Sequence, residues 1–195
     1  MRVVVATGNR GKLGELTALL APLGVELLPQ SAYGVEPPPE TGTTFLSNAL
    51  IKARHAARVA QLPAVADDSG LEVDALGGAP GVYSARYAGE GSDAAANNAK
   101  LLKALTGVPP EKRRARFRAI IVFVRSAVDP HPLVGEGVWE GRIALAPRGI
   151  GGFGFDPLFE PLDSTRTAAE LTSDDKNARS HRGAALRALV AQWPR

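Results

Sequence analysis

Arg2-Val3-Val4-Val5-Ala6-Thr7-Gly8-Asn9-Arg10-Gly11-Lys12 opens with a β-branched run, breaks at a glycine-rich turn and leads into Leu13, Leu16, Leu20 and Leu23 at helical spacing. Apolar residues three and four apart line one face of a helix, whereas a short valine run suits a buried strand. The stretch therefore reads as the first strand and helix of an α/β unit. Val25 to Leu28 follows as a second short strand. Glu36-Pro37-Pro38-Pro39-Glu40-Thr41-Gly42 has to be a loop, because prolines remove backbone donors and fix φ. From about Thr44 to Gln61, Phe45, Ala49, Ala53 and Ala56 predict an amphipathic helix, with Asn48 and Lys52 four apart on one face.

Farther along, Pro63 to Ala66 predicts a short strand that ends in an acidic turn, Asp67-Asp68-Ser69-Gly70. Gly77 to Gly81 is a Gly- and Pro-rich connection, and Ser92 to Leu105 is a helix stopped by Gly107. Arg114 to Arg125 alternates and then turns continuously apolar, as a strand does that is half exposed and then buried. Leu133 to Trp139 and Arg142 to Leu145 read as two strands joined by Glu140-Gly141, with antiparallel pairing. Gly149 to Pro157 is a loop, and Ser173 to Trp193 predicts one long helix. Strands that alternate with helices early and cluster later imply an α/β fold. The expected architecture is a mixed, largely twisted sheet flanked by helices, one domain over residues 1–195 with two lobes and a central ligand cleft.

Composition narrows the function. At 195 residues, 45% hydrophobic and 22% charged, the chain is sized and balanced for one core with no large disordered region. Its longest apolar run, Ala119 to Val124, falls far short of the roughly 20 residues of a membrane helix. Thr7-Gly8-Asn9 arrives too early for a signal peptide's apolar region, so a cytoplasmic location without membrane association is expected. The absence of cysteine excludes disulfides, thiolate metal sites and a cysteine nucleophile. A net charge of +3 is small for a nucleic-acid surface and fits a pocket for an anionic small molecule.

Four clusters carry candidate chemistry. Thr7, Gly8, Asn9, Arg10, Gly11 and Lys12 lie between a strand end and a helix start, where unpaired backbone N–H groups favour an anion such as phosphate. The spacing is not that of a Walker A loop, and a plain strand-to-helix turn with an Asn cap would use the same residues. Asp67 and Asp68 sit where ligands collect in open α/β sheets. Paired carboxylates disfavour each other's ionisation, so one can serve as a general base while another holds a hard cation such as Mg²⁺. An Asx turn satisfying its own backbone is the alternative. In Phe153-Gly154-Phe155-Asp156-Pro157, aromatics beside glycines either fold into the core or keep a ring open to stack on a planar ligand. Lys176, Ser180, His181 and Arg182 concentrate donors on a helix, where a solvated face would also explain Lys176 and Arg182.

Together these segments resemble the inosine triphosphate pyrophosphatase family, the noncanonical purine NTP (dITP/XTP) pyrophosphatases. The matching stretches are Ala6 to Asn9 through Lys12, Glu40-Thr41-Gly42 with Phe45 and Asn48, Lys52-Ala53, and Ala66-Asp67-Asp68-Ser69-Gly70-Leu71 through Leu76. They continue with Gly78 to Tyr87, Gly152 to Pro157, Lys176-Asn177 and Ser180-His181-Arg182, in order along nearly the whole chain. The resemblance implies a two-lobed α/β homodimer that binds a nucleotide with Mg²⁺ and cleaves between the α- and β-phosphates. It implies Asp68 as proton acceptor for the attacking water, and Glu40 with Asp68 as metal ligands. Thr7 to Lys12, Lys52 and Lys176 are implied at the triphosphate. Ser69, Phe153, Gly154, Phe155, Asp156, His181 and Arg182 are implied around the nucleoside, the last two near the base. Phe155 departs from the tyrosine that many relatives carry there, which removes a hydroxyl but not the packing. Two other readings are a pyrophosphatase of different base preference and a nucleotide- or RNA-binding protein without catalysis; carboxylates within a phosphate site argue against the second.

Overall fold

The computed structural model describes residues 1–8 and 10–193. β1 (Arg2–Val5), β2 (Glu26–Pro29), β3 (Ala64–Val73), β4 (Arg114–Val124), β5 (Leu133–Ile143) and β6 (Phe159–Pro161) form one sheet in the order β2-β1-β3-β4-β5-β6. The sheet is mixed: β1 runs parallel to β2 and β3, and β5 runs antiparallel to β6. The helices are α1 (Arg10–Leu20), α2 (Phe45–Ala60), α3 (Ala94–Ala104), α4 (Ser173–Arg179) and α5 (His181–Val190). The α/β class and mixed sheet are as expected from the sequence.

The chain divides into two compact units. The first comprises Met1–Asp68, Ala119–Gly137 and Arg182–Arg195. Its core packs Val3, Val5, Val65, Ile121 and Phe123 with Leu16 and Leu20 of α1 and Leu186 and Leu189 of α5. Val65 thus faces α1 and α5, and the pleat of a strand sends Asp67 the same way and Asp68 the other. The second unit comprises Ser69–Arg118 and Val138–His181, with a core that gathers Leu71, Val73, Phe117, Trp139, Phe155 and Phe159 with Leu101 and Leu105 of α3.

Three expectations change. Asp67-Asp68-Ser69-Gly70 is not a turn closing a short strand but the middle of the ten-residue β3. Asp, Ser and Gly are depleted in strands, yet burial of Val65, Ala66, Leu71 and Val73 on either side carries the strand through them. Glu140-Gly141 likewise does not separate two strands, because β5 is continuous. A Cβ at Gly141 would run into the Glu160 carbonyl and the Phe159 ring, so the glycine marks close approach of β6 and not a turn. Finally, the long C-terminal helix breaks at Ser180, whose backbone is extended at φ −64°, ψ 156°.

Candidate active site

The carboxylates at the centre of β3 are surrounded by charge that the first unit brings together from distant sequence. α2 starts at Thr44, whose side chain accepts from the Ser47 backbone N–H, with Ser47 returning the bond in a capping box. One turn on, buried Asn48 accepts from the Gly42 N–H at 2.8 Å and so fastens the proline-rich loop to the helix. Gly42 leaves room for this, since a Cβ there would strike Ser47 and Asn48. With the loop held, Lys52 Nζ reaches both Glu40 Oε1, at 3.2 Å, and Asp68 Oδ1, at 2.6 Å. The helical spacing of Asn48 and Lys52 explains why the helix both fixes the Glu40 loop and presents the lysine.

Asp67 has different company. Its side chain is fully buried; Lys12 of α1 donates to Oδ1, and Arg182 Nε donates to Oδ2 at 3.2 Å. Burial by itself would raise the Asp67 pKa, but Lys12 and then Arg182 outweigh it and hold the carboxyl well below its ordinary value. Asp68 goes the other way, because burial pushes its carboxyl above the ordinary value against the pull of Lys52. Burial lowers the Lys12 ammonium despite Asp67, whereas for Lys52 the attraction of Asp68 and Glu40 overcomes burial and raises it. Two neighbouring aspartates are thus driven apart, one below and one above the ordinary carboxylate pKa.

A hard divalent cation fits the Asp68 side. Asp68 Oδ2 is buried without a hydrogen-bond partner, an arrangement that asks for a cation or a water. Glu40 stands within reach of the same lysine, and Mg²⁺ commonly takes only one or two protein carboxylates, completing its shell with water and phosphate oxygens. Among the described residues no three His, Asp or Glu side chains form a metal cage; the two carboxylates that the resemblance implies as metal ligands, Glu40 and Asp68, both lie against Lys52.

The remaining predicted residues fall into two groups. Thr7 and Gly8 line a cavity of about 430 Å³ in the first unit, bordered also by Gln30 and Ser31. Asn9 lies outside the described residues; Arg10 and Gly11 open α1. In the second unit Phe155 is buried in the core, whereas Phe153 remains 38% exposed. Asp156 Oδ2 accepts from the Phe153 N–H at 2.7 Å and from Lys176 Nζ at 2.6 Å, and Lys176 Nζ also stands 4.6 Å from the centre of the Phe153 ring. His181 is buried and stacks on Phe117 at 4.8 Å with the rings 13° apart. Ser69 sits in β3 beside Asp68. The sequence reading named Lys12 and Arg182 for the phosphates and the base but did not pair them with Asp67, which lies 55 and 115 residues away in the chain.

The class of protein, a hydrolase of phosphate anhydrides, is given by its relatives. The chain belongs to the Ham1 family, whose model matches residues 3–192. It is 57% identical over 190 residues to a protein of Thioalkalivibrio sulfidiphilus named dITP/XTP pyrophosphatase, covering 97% of each chain. A Shigella flexneri protein of the same name is 54% identical over 189 residues, covering 97% of this chain and 96% of the relative. Among solved structures, a HAM1 protein from Coxiella burnetii superposes with a TM-score of 0.92 at 47% identity, over 98% of both chains. A nucleoside-triphosphatase / dITP/XTP pyrophosphatase from Mycobacterium abscessus gives 0.79 at 47% identity, over 100% of this chain and 98% of the other.

Proposed function

We propose that the protein hydrolyses noncanonical purine nucleoside triphosphates, ITP, dITP and XTP, to the nucleoside monophosphate and pyrophosphate. The observation that carries the proposal is Lys52 bridging Glu40 and Asp68, with Asp68 Oδ2 buried and unpaired beside them. Asp68 orients a water and takes its proton; the water oxygen bonds to the α-phosphorus while the bond to the bridging oxygen of the β-phosphate breaks, and pyrophosphate leaves. Asp68 Oδ2, buried without a hydrogen-bond partner, is the oxygen that would accept that proton. Glu40 and Asp68 would hold Mg²⁺, which when bound would neutralise phosphate charge as phosphoryl transfer requires.

The Thr7 to Lys12 turn, Lys52 and Lys176 bind the triphosphate. Phe153 stacks on the base, while Ser69, Gly154, Phe155 and Asp156 shape the nucleoside's surroundings. His181 and Arg182 donate to the 6-oxo group of hypoxanthine or xanthine, and an adenine amino group there would leave those donors mismatched. No membrane-spanning helix exists among the described residues. The reading also carries a homodimer acting in the cytoplasm on the nucleotide pool, without a nucleic-acid partner. Pyrophosphate release from ITP, XTP and dITP, set against ATP, GTP, dTTP and UTP with and without Mg²⁺, tests the proposal. The expected result is Mg²⁺-dependent turnover confined largely to the first three; equal turnover of all seven refutes the purine selectivity.

A further inference from the structure

Asn98 lies on α3, far in sequence from the aromatic loop, yet its Nδ2 donates to the Gly154 carbonyl at 3.0 Å. Gly154 is in the left-handed region at φ +61°, inside a turn closed by the Asp156 N–H donating to the Phe153 carbonyl at 3.2 Å, and a Cβ there would meet nothing within 4 Å. The Phe153 N–H is held on one side by Asp156. On the other side the carbonyl one residue on is held by Asn98. Between these two points the Phe153 ring stays 38% exposed, although an exposed phenylalanine gives up the gain from burial.

The adjacent asparagine makes the contrast. Asn97 is buried and spends its amide on both sides: Oδ1 accepts from the Ala88 N–H at 2.7 Å and the Ser92 hydroxyl at 2.9 Å, and Nδ2 donates to Ala85 at 3.2 Å. Asn98 uses only its donor, because Oδ1 is buried without a partner. A buried acceptor left unpaired costs stability, so Asn98 is a poor choice for fold stability alone. We infer that Asn98 is a positioning residue that tethers the Gly154 carbonyl and so presents the Phe153 ring to a planar base. The inference rests on the proposed stacking role of Phe153. The tether holds the loop in its binding conformation beforehand, which lowers the ordering cost that a ligand would otherwise meet.

The test compares Asn98→Asp, which keeps the shape but cannot donate to a carbonyl, with Asn98→Gln, which keeps the donor. Amide exchange of residues 151–156 in the unliganded protein reads the tether without reference to activity, and exchange should be faster in Asn98→Asp. With ITP, Asn98→Asp should raise KM by about fivefold to tenfold with kcat little changed, as loss of one hydrogen bond predicts. Inhibition by inorganic tripolyphosphate, which lacks a base, should stay constant, and Asn98→Gln should recover part of the KM. Combined with Phe153→Ala, Asn98→Asp should add no further rise in KM. Unchanged loop exchange in Asn98→Asp overturns the tether. An additive double variant, or equal loss of tripolyphosphate inhibition, overturns its action through Phe153. A wild-type protein that leaves ITP intact overturns the proposed function instead, while the exchange result still decides the tether.

Discussion

The two faces of β3 carry the same side chain in adjacent positions and give it opposite electrostatic surroundings. On one face Asp67 is enclosed, fully buried and clamped by Lys12 and Arg182. On the other, Asp68 keeps one oxygen on Lys52 and one oxygen unpaired, with Glu40 across the lysine. The difference teaches that two close cations outweigh burial and lower a carboxyl's proton affinity, whereas at Asp68 burial outweighs the single lysine and raises it. Asp67 is therefore a holder of two cations, and the water and the metal of the proposed mechanism fall to Asp68.

Substitutions can break the comparison. The largest expected loss is in Asp68→Asn, whose kcat should fall by about 10²- to 10⁴-fold, the range for loss of a general base, while ITP still binds. Asp67→Asn should act mainly on stability. Removing one partner of a buried ion pair costs about 3 kcal/mol, measurable by urea unfolding. Its pH dependence has a definite sign. A depressed folded-state pKa means that the Asp67 contribution is present above about pH 4 and fades as pH falls through the lower folded value. Wild type and Asp67→Asn should therefore converge in stability under acid. Lys52→Met should weaken ITP binding and, because it also removes the cation opposing the rise of the Asp68 pKa, should move the acid limb of the kcat profile to higher pH.

How much of this was legible in the sequence follows from where the information lies. The first strand and helix, α2 and the strand character of residues 114–124 follow from periodicity, because each buries one face locally. The strand through Asp67-Asp68-Ser69-Gly70 was not legible, since only the flanking apolar residues and the neighbouring strands overrule its turn-forming composition. Gly141 misleads for a related reason, as its role depends on Phe159 packing across the strands. The break at Ser180 interrupts a stretch whose composition stays helical on both sides. In the candidate site, the acidic pair, Glu40 and Lys52 stood out as residue types, but the division of labour between the aspartates depends on Lys12 and Arg182, which spacing does not bring together.

The central claim is that Asp68, and not Asp67, activates the water. It is tested most directly by mixing Asp68→Asn with ITP and Mg²⁺ and recording binding and pyrophosphate release separately in one turnover. The account predicts bound ITP that stays intact while wild type releases pyrophosphate. Release by Asp68→Asn at the wild-type rate would contradict it.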